Sequence, residues 1–367
     1  MMLEADQVYM VVGGCGLLGS RILQELIKKK KADNPNYPKS DIRVVDIRNT
    51  ATEEPEDYCF YVADICEHQA ITDIIVAENK KVTTVFHTAS PIMKAPPEIH
   101  TKVNIEGTKA LLDVCIKTGV KSFIYTSSAS VVYSGAPLVY VDETIPYAQP
   151  FADYYSETKA IAEKMCLSAN GSGGIKTVSL RPSGIFGPGD NQVTPGALMA
   201  QKKGYPPLIQ VGNNTALFDF TFVDNLVDAH ISASDKLACD NTSTNQDSDY
   251  RIDGQSFFIT NDQPIGMWSF LRLLWAEVGD NRKPILIIPT FIASFILYLL
   301  RFLASIKVVK HEVPFVFGMT FTDRYFNISK AKKLLDYKPR VSYSQGVPIS
   351  VASTLKRWEE DKNSKNN

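Results

Sequence analysis

The sequence predicts an α/β protein with a doubly wound parallel sheet that carries helices on both faces. Short apolar runs alternate with helical patterns through the first half of the chain, and each run is nearly continuous, as expected when both faces of a strand are buried. Strands are expected at Val8–Val12, Ile42–Val45, Cys59–Val62, Thr84–His87, Ser122–Thr126 and Thr177–Leu180. Helices are expected at Leu17–Lys30, Gln69–Glu78, Thr108–Thr118 and Ser156–Ala169.

Length and composition limit the class of protein. The chain has 367 residues, enough for about two domains. Its 39 Lys+Arg balance 40 Asp+Glu, which argues against a nucleic-acid partner, because such proteins usually carry a basic excess. The six scattered cysteines lack metal-ligand spacing, so we expect free thiols in a reducing compartment and no metal site. The N-terminus carries acidic residues where a signal peptide needs basic ones.

A glycine-rich turn predicts a dinucleotide site. Gly13, Gly16 and Gly19 lie in the run GGCGLLG, after the strand VYMVV and at the start of a helix. Glycine at these places permits a tight turn and a close approach of the backbone to a pyrophosphate, which sits on the positive end of the helix. An ordinary glycine-rich β–α turn is the alternative. The strand–turn–helix context favours the dinucleotide site and a Rossmann-type fold.

The ends of the next two strands carry aspartates. Asp46 ends the second strand, where a carboxylate accepts hydrogen bonds from the adenosine ribose and repels a 2′-phosphate, so NAD is favoured as the cofactor. Arg48 follows closely and could pair with that phosphate, which leaves NADP possible. Asp64 ends the third strand and is expected to contact the adenine edge, with a solvated helix cap as the alternative.

A tyrosine and a lysine one helical turn apart predict the chemistry. Tyr155 and Lys159 lie on one helix face, and a nearby cation lowers the pKa of a phenol. The resulting tyrosinate can take the proton of a secondary alcohol while hydride leaves the same carbon. A serine-rich run, SSAS at 127–130, ends a strand, where a hydroxyl can hydrogen-bond the reacting oxygen. Alone, the Tyr–Lys spacing also fits a solvated helix face; beside the glycine turn it favours catalysis.

Several segments, spread from residue 13 to about residue 339, carry a family resemblance. They are GGCGLLG, HTASP, VNIEGT, IYTSSASVVY, YYSETKAIAE, LRPSGIFGPGD, FDFTFVDNLVDAH and RYFNISKAKKLLDYKP, and their order matches as well. The chain resembles an extended short-chain dehydrogenase/reductase, and within that superfamily the 3β-hydroxysteroid dehydrogenase family. LRPSGIFGPGD, GQSFFITNDQP and AKKLLDYKPRV are similar to segments of decarboxylating members.

The resemblance implies a role for each matched residue. Tyr155 matches the catalytic base and Lys159 its partner, which also holds the nicotinamide ribose. Ser128 matches the catalytic hydroxyl, with Ser127 as the alternative register. The remaining matches surround the cofactor: Ala89 and Ser90 beneath the phosphates, Asn104 on a helix near the site, and Pro182, Ser183 and Phe186 against the nicotinamide. Cys15 and Leu17 depart from the family pattern without removing a backbone amide.

The implied reaction is the NAD-dependent oxidation of the 3β-hydroxyl of a 4α-carboxysterol to the 3-ketone with loss of CO2, a step of sterol C4 demethylation. The β-keto acid loses CO2 readily because the departing electrons delocalise into the ketone. The alternatives are a 3β-hydroxysteroid dehydrogenase/isomerase, another ketone reductase of this fold, or a non-catalytic NAD(P)-sensing protein. A cation would help to bind the carboxylate. The sequence does not identify it, and Arg181 is equally well explained as a structural residue.

The second half of the chain is expected to form a smaller lobe. Beyond about residue 184 the alternation ends, and Pro and Gly become frequent. We expect an NAD-binding domain over residues 1–183 and a mostly substrate-binding lobe over residues 184–367, with some segments returning to the sheet. The resemblance implies a homodimer through helices that include the Tyr–Lys helix, and association with other enzymes of sterol C4 demethylation.

One segment, Ile285–Leu300, has 16 residues without a charge. A helix over residues 290–306 would be about 26 Å long, short of the hydrocarbon core of a bilayer. Residues 322–339 resemble a piece of the substrate lobe, and a single span would place them on the wrong side of the membrane. We therefore expect residues 285–306 to dock on a membrane surface, with a buried helix and a true span as alternatives. The resemblance implies the cytosolic face of the endoplasmic reticulum, or lipid droplets.

Overall fold

The structure, a computed structural model, describes residues 7–48, 55–204, 208–239, 251–309 and 312–366. Its strands are β1 (Tyr9–Val12), β2 (Ile42–Asp46), β3 (Cys59–Val62), β4 (Thr84–His87), β5 (Ser122–Thr126), β6 (Leu138–Val141), β7 (Lys176–Pro182), β8 (Gly184–Phe186), β9 (Ile209–Val211), β10 (Leu217–Phe218), β11 (Phe220–Phe222), β12 (Gln255–Ile259), β13 (Ile265–Gly266), β14 (Leu286–Ile288) and β15 (Arg324–Phe326).

The α-helices are α1 (Leu17–Asp33), α2 (His68–Val76), α3 (Pro97–His100), α4 (Thr108–Thr118), α5 (Tyr154–Ser168), α6 (Val193–Lys202), α7 (Val223–Ala238), α8 (Met267–Ala276), α9 (Thr290–Ser305), α10 (Glu312–Met319), α11 (Ser329–Leu334) and α12 (Tyr343–Asn366). A π-helical turn, Thr101–Gly107, joins α3 to α4. The strands and helices predicted for the first half are all present, with ends that differ by at most three residues.

A parallel sheet of seven strands, in the order β12-β7-β5-β4-β1-β2-β3, forms the centre of the described structure. Alternate residues of β1 enter two different cores, because successive side chains of a strand point to opposite faces. Tyr9 and Val11 pack with α1 and α7, whereas Met10 and Val12 pack with α2 and α4. Both faces of the sheet are therefore buried under helices, and the predicted doubly wound fold is confirmed.

The two halves of the chain exchange strands. From the second half, β12 pairs in parallel with β7 in the main sheet, and α7 packs on β5 and β7. From the first half, β6 joins β13, β10 and β15 in a sheet of the smaller lobe. The core of that lobe is a cluster of aromatic rings that includes Phe186, Phe220 and Phe270. β15, from the second half of the chain, thus pairs with a strand of the first half.

The apolar segment forms β14 and α9. Ala293 and Leu297 of α9 are buried, and Ala293 packs near Trp268 and Trp275 of the lobe. The opposite face of α9 is exposed. None of the described helices is long and apolar enough to cross a membrane.

Candidate active site

The glycine turn between β1 and α1 is packed against the turn after β4. Gly13 has φ +84°, and a Cβ there would lie 2.7 Å from the backbone nitrogen of Ala89. A Cβ on Gly16 would lie 3.1 Å from the carbonyl oxygen of Gly13, and one on Gly19 would overlap that oxygen. Side chains are therefore sterically excluded, and the backbone at the start of α1 stays bare. This cradle fits the pyrophosphate of a dinucleotide.

Asp46 lies at the carboxyl end of β2, next to the glycine turn. Its Oδ2 accepts the N–H of Cys15 at 3.0 Å, and its Oδ1 accepts the N–H of Arg48 at 3.1 Å. The Arg48 side chain is 67% exposed, and its Nε stands 3.8 Å from the carboxylate. The carboxylate is thus fixed beside the cradle, where an adenosine ribose would lie, while the arginine extends into solvent.

Asp64 follows β3 and binds two groups. Its Oδ1 accepts the N–H of Cys66 at 3.0 Å, and Lys102 Nζ lies 2.8 Å from its Oδ2. Burial acts to raise the pKa of this carboxyl, but the hydrogen bonds from Lys102 and Cys66 outweigh it, and the pKa lies below its ordinary value. Asp64 therefore stabilises the turn as an ionised group. Its contact with adenine stays a prediction.

The turn after β4 is tied to α5 through the π-helical turn. Ser90 Oγ donates to Asn104 Oδ1 at 3.2 Å, and Asn104 Nδ2 donates to Thr158 Oγ1 at 3.0 Å. Asn104 and Thr158 are both buried. A π-helical turn often marks a functional site, and here it brings Asn104 between the predicted phosphate turn and the predicted catalytic helix.

Tyr155 lies in the first turn of α5, which is capped by Asp153: the Oδ1 of Asp153 accepts the N–H of Ser156 at 2.7 Å. Burial raises the pKa of Tyr155 to about 12, and the Asp153 carboxylate acts in the same direction. The hydroxyl of Ser128, the charge of Arg324 and the hydroxyl of Ser90 act in the opposite direction.

The two candidate serines have different neighbours. Ser128 Oγ accepts the N–H of Ser130 at 3.1 Å, and the same hydroxyl acts to lower the pKa of Tyr155. The hydroxyl of Ser127 acts instead on Glu163, whose pKa it helps to lower. The effect on Tyr155 therefore favours Ser128 over Ser127, and the catalytic role of Ser128 stays a prediction.

Lys159 lies one turn after Tyr155 and is buried. Its Nζ donates to the carbonyl oxygen of Thr126 at 2.6 Å and stands 4.3 Å from the centre of the Tyr125 ring. Burial lowers the pKa of Lys159 to about 7. The Lys159 Nζ is thus held at the end of β5, and with this pKa both its protonated and its neutral form are populated near neutral pH.

The three residues that the resemblance places against the nicotinamide have different surroundings in the structure. Pro182 and Ser183 are buried at the end of β7, and Ser183 Oγ donates to the carbonyl oxygen of Asp219 at 2.7 Å. The Phe186 ring is fully buried, with Phe222 and Phe270 at centroid distances of 5.3 and 5.2 Å. Phe186 therefore belongs to the aromatic core of the lobe, and a contact with nicotinamide stays a prediction for these residues.

Sequence reasoning missed Arg324, the first residue of β15. Its side chain is only 7% exposed and lies over the rings of Tyr133 and Phe218, at 4.7 and 5.6 Å from their centres. Its Nε is buried without a hydrogen-bond partner. Burial lowers its pKa, while Tyr133, Asp153 and Tyr155 act to raise it. A buried cation whose Nε has no hydrogen-bond partner thus acts electrostatically on the predicted base, and the Asp153 carboxylate acts on both groups.

Arg181 is the opposite case. Its Nη2 lies 2.6 Å from Glu163 Oε1, and its Nε also donates to that carboxylate. Glu163 further accepts hydrogen bonds from Tyr147 and Ser179, both at 2.8 Å. Arg181 is therefore part of a buried structural network and is already paired.

His100 is a second residue without a signal in the sequence. It is buried at the end of α3, and its ring meets the Tyr155 ring edge-on at a centroid distance of 5.6 Å. Its Nε2 lies 3.3 Å from the carbonyl oxygen of Met93, in the loop after β4. Its packing helps to fix the ring of Tyr155.

Known proteins resemble the chain over most of its length. The model of the 3-beta hydroxysteroid dehydrogenase/isomerase family matches residues 10–290. The chain belongs to this family. The expected family is thereby confirmed, and the chain is an oxidoreductase of it.

Individual relatives extend the match. Sterol-4-alpha-carboxylate 3-dehydrogenase, decarboxylating, of Candida albicans is 38% identical, with 95% of this chain and 98% of the relative covered. The Homo sapiens protein of that name is 33% identical, with 94% and 87% covered. Among solved structures, UDP-glucuronic acid 4-epimerase from Bacillus cereus in complex with NAD has a TM-score of 0.68 at 20% identity and covers 96% of this chain and 100% of its own. That likeness shows the fold.

Proposed function

We propose that this family member catalyses the NAD-dependent oxidation of the 3β-hydroxyl of a 4α-carboxysterol to the 3-ketone, with loss of CO2. The names of its relatives support this reaction. The structural observation that carries it is Arg324, a buried cation whose Nε has no hydrogen-bond partner and whose charge acts on Tyr155. A substrate carboxylate would supply the missing partner, since a buried charge is costly unless it is paired.

The position of Arg324 agrees with the chemistry of this substrate. The carboxylate is attached to C4, the carbon next to C3, so it must lie close to the base that faces the C3 hydroxyl. Ser128 would donate a hydrogen bond to the C3 oxygen, and the Tyr155 phenolate would accept the hydroxyl proton. When bound, the nicotinamide supplies the acceptor for the hydride that leaves C3. The charge of Arg324 favours the phenolate and binds the carboxylate.

Loss of CO2 needs only a stabilised oxygen at C3. The C4–carboxylate bond breaks with release of CO2, its electrons move into the C3 carbonyl, and the resulting enolate takes a proton from water at C4. Tyr155, protonated after the first step, and Ser128 both donate hydrogen bonds to the enolate oxygen, as donors at a developing negative charge do. The same two hydroxyls would therefore serve both steps.

The alternative functions do not explain why Arg324 is buried beside the site. A 3β-hydroxysteroid dehydrogenase/isomerase or another ketone reductase acts without a carboxylate at C4. A non-catalytic NAD(P)-sensing protein would have no chemical need for Ser128, Tyr155 and Lys159 together.

The purified protein with NAD and a 4α-carboxy-3β-hydroxysterol tests the reaction, with NADH and CO2 followed in one sample. Equal amounts of NADH and CO2 are expected. Oxidation of simple 3β-hydroxysteroids with no turnover of the carboxysterol would instead favour the isomerase or ketone-reductase alternatives.

We propose NAD as the cofactor in preference to NADP. The fixed carboxylate of Asp46 supports this choice, whereas Arg48 is largely solvated. In Asp46→Ala, the ratio of kcat/KM with NAD to that with NADP is expected to fall by about tenfold or more, because a charged acceptor of ribose hydroxyls and a repulsive charge are both lost. Asp73→Ala, which removes an exposed carboxylate from α2, is the matched control. An unchanged ratio in Asp46→Ala would mean that the ribose is held elsewhere.

We propose that the exposed face of α9 docks on the surface of a lipid bilayer. Phe291, Phe295 and Tyr298 are 75%, 68% and 72% exposed, and such a continuous apolar face is rare on a protein that meets only water. Lys283 and Lys307, exposed near its two ends, favour anionic headgroups. The endoplasmic reticulum, on its cytosolic face, or lipid droplets would be the membrane. A homodimer and association with other sterol C4-demethylation enzymes stay predictions.

Sedimentation with vesicles of neutral and anionic phospholipid tests the docking. Phe295→Glu is expected to reduce the bound fraction by about tenfold or more, because a charge replaces an inserted aromatic ring. Ile349→Glu places the same charge on an exposed apolar position of α12 and is the matched control. Equal binding by both variants would contradict docking through α9.

A further inference from the structure

Arg301 is the one charged residue of α9. It is exposed, yet its guanidinium turns toward the body of the protein: Nη2 lies 3.3 Å from the carbonyl oxygen of Gly135 and donates to it. A charge-to-carbonyl contact at this distance is weak. The guanidinium is thus held loosely at the border between the apolar face of α9 and the turn before β6.

The turn at this border is next to a residue that contacts Arg324. Gly135 comes two residues after Tyr133, whose buried ring lies under the guanidinium of Arg324. Both arginines act to lower the pKa of Tyr133, which burial raises. Tyr133 and the turn at Gly135 therefore connect Arg301 of α9 with Arg324.

The surface beyond the turn is also apolar. Val139 and Tyr140 of β6 are 54% and 59% exposed. Exposed apolar residues therefore occur on both of the elements that the Arg301–Gly135 contact brings together, α9 and the turn that leads into β6. A cation set in an apolar border suits an amphipathic acid, whose rings contact the border and whose carboxylate needs a charge.

We propose that a carboxysterol passes from the bilayer into the site beside Gly135, and that Arg301 is the first group of the protein to bind its carboxylate. The inference rests on the proposed function and on docking through α9. A sterol acid in a membrane keeps its carboxylate at the interface, the depth at which a docked α9 places Arg301. The carboxylate replaces the Gly135 carbonyl as acceptor, because a charge-assisted hydrogen bond is the stronger one. It then passes to Arg324 as the sterol enters.

The loss of activity on replacement of Arg301 is expected to depend on whether the substrate is supplied in a membrane or in solution. The full-length protein is assayed with NAD and a 4α-carboxy-3β-hydroxysterol, given either in phospholipid vesicles or as a soluble cyclodextrin complex. In Arg301→Gln, kcat/KM per vesicle-bound enzyme is expected to fall by about fivefold or more with vesicles, and much less with cyclodextrin, because a rim charge acts mainly on association. Arg301→Lys keeps the charge and is expected to recover most of the vesicle activity.

Each other outcome has a defined meaning. Equal losses with both presentations would overturn the entry role and place Arg301 in the site itself, and no loss with either would overturn it as well. Failure of the wild-type protein to oxidise the carboxysterol in both presentations would instead refute the proposed function. Vesicle sedimentation of each variant shows whether the protein still binds the membrane. A variant that binds normally but turns over slowly with vesicles has lost transfer of the carboxysterol into the site.

Discussion

Replacement of Tyr155 by Phe is expected to lower turnover of the carboxysterol by about a thousandfold or more, with NAD binding nearly unchanged. The phenolic oxygen is the group that takes the substrate proton, and general-base catalysis of this kind contributes on the order of 10²–10⁴ in rate. The ring, its packing against His100 and the helix cap at Asp153 all survive the change. The measurement is kcat from NADH formation, together with equilibrium binding of NAD.

Tyr154 offers a matched control for this variant. It precedes Tyr155 on α5 but is 41% exposed, and its hydroxyl bonds Thr101 Oγ1 at 2.8 Å. Tyr154→Phe therefore removes the same atom from the same helix turn, and ordinary turnover is expected. Loss of activity in Tyr154→Phe with normal activity in Tyr155→Phe would refute the assignment of the base.

The pKa of Tyr155 gives the sign of the pH dependence. Burial and Asp153 raise it to about 12 in the protein alone, so the phenol is protonated at neutral pH. The reactive phenolate becomes more populated as the pH rises, and the rate of the wild-type oxidation should rise with it. Lys159, whose pKa burial lowers to about 7, loses its charge well below the pH at which Tyr155 ionises.

Replacement of Arg324 by Gln is expected to reduce the preference for a carboxylated substrate by about a hundredfold. The quantity measured is the ratio of kcat/KM for a 4α-carboxy-3β-hydroxysterol to kcat/KM for the same sterol without the carboxylate. A charged hydrogen bond to a buried group contributes about 1.5–3 kcal/mol, and a bidentate one contributes more. The charge of Arg324 also favours the phenolate of Tyr155, so its loss is expected to lower both rates, and the ratio isolates the effect on the carboxylate.

Two further variants keep this prediction open to refutation. Arg324→Lys preserves the charge without the planar fork, and an intermediate ratio is expected. Arg340→Gln removes an exposed arginine, paired with Asp228, and should leave the ratio unchanged. Thermal unfolding and NAD binding establish that the Arg324 variants are folded. An unaltered ratio in folded Arg324→Gln would exclude Arg324 as the carboxylate-binding residue.

Local signals explain why so much of the first half could be predicted. The glycine turn, the strand ends at Asp46 and Asp64, and the Tyr155–Lys159 spacing are each recognised from a short stretch of consecutive residues. Their structures depend on turn geometry and helical periodicity, which a short stretch of sequence determines.

Arg324 and His100 could not be found in this way. Arg324 reaches the base only because β15 pairs with β6, and His100 only because α3 packs against α5. An arginine in a sequence is usually exposed, and nothing next to Arg324 indicates that aromatic rings will bury it. The choice between Ser127 and Ser128 likewise required the position of the Tyr155 side chain.

The exchange of strands between the two halves also bears on how the chain folds. The edge of the main sheet next to β7 is covered by β12, and β6 finds its partner in β15, close to the end of the chain. During synthesis, the edges of β6 and β7 therefore stay unpaired until much later residues have left the ribosome. These pairings between distant segments favour slow folding and cooperative unfolding of both halves together, so a fragment cut at residue 184 lacks strands that each half needs.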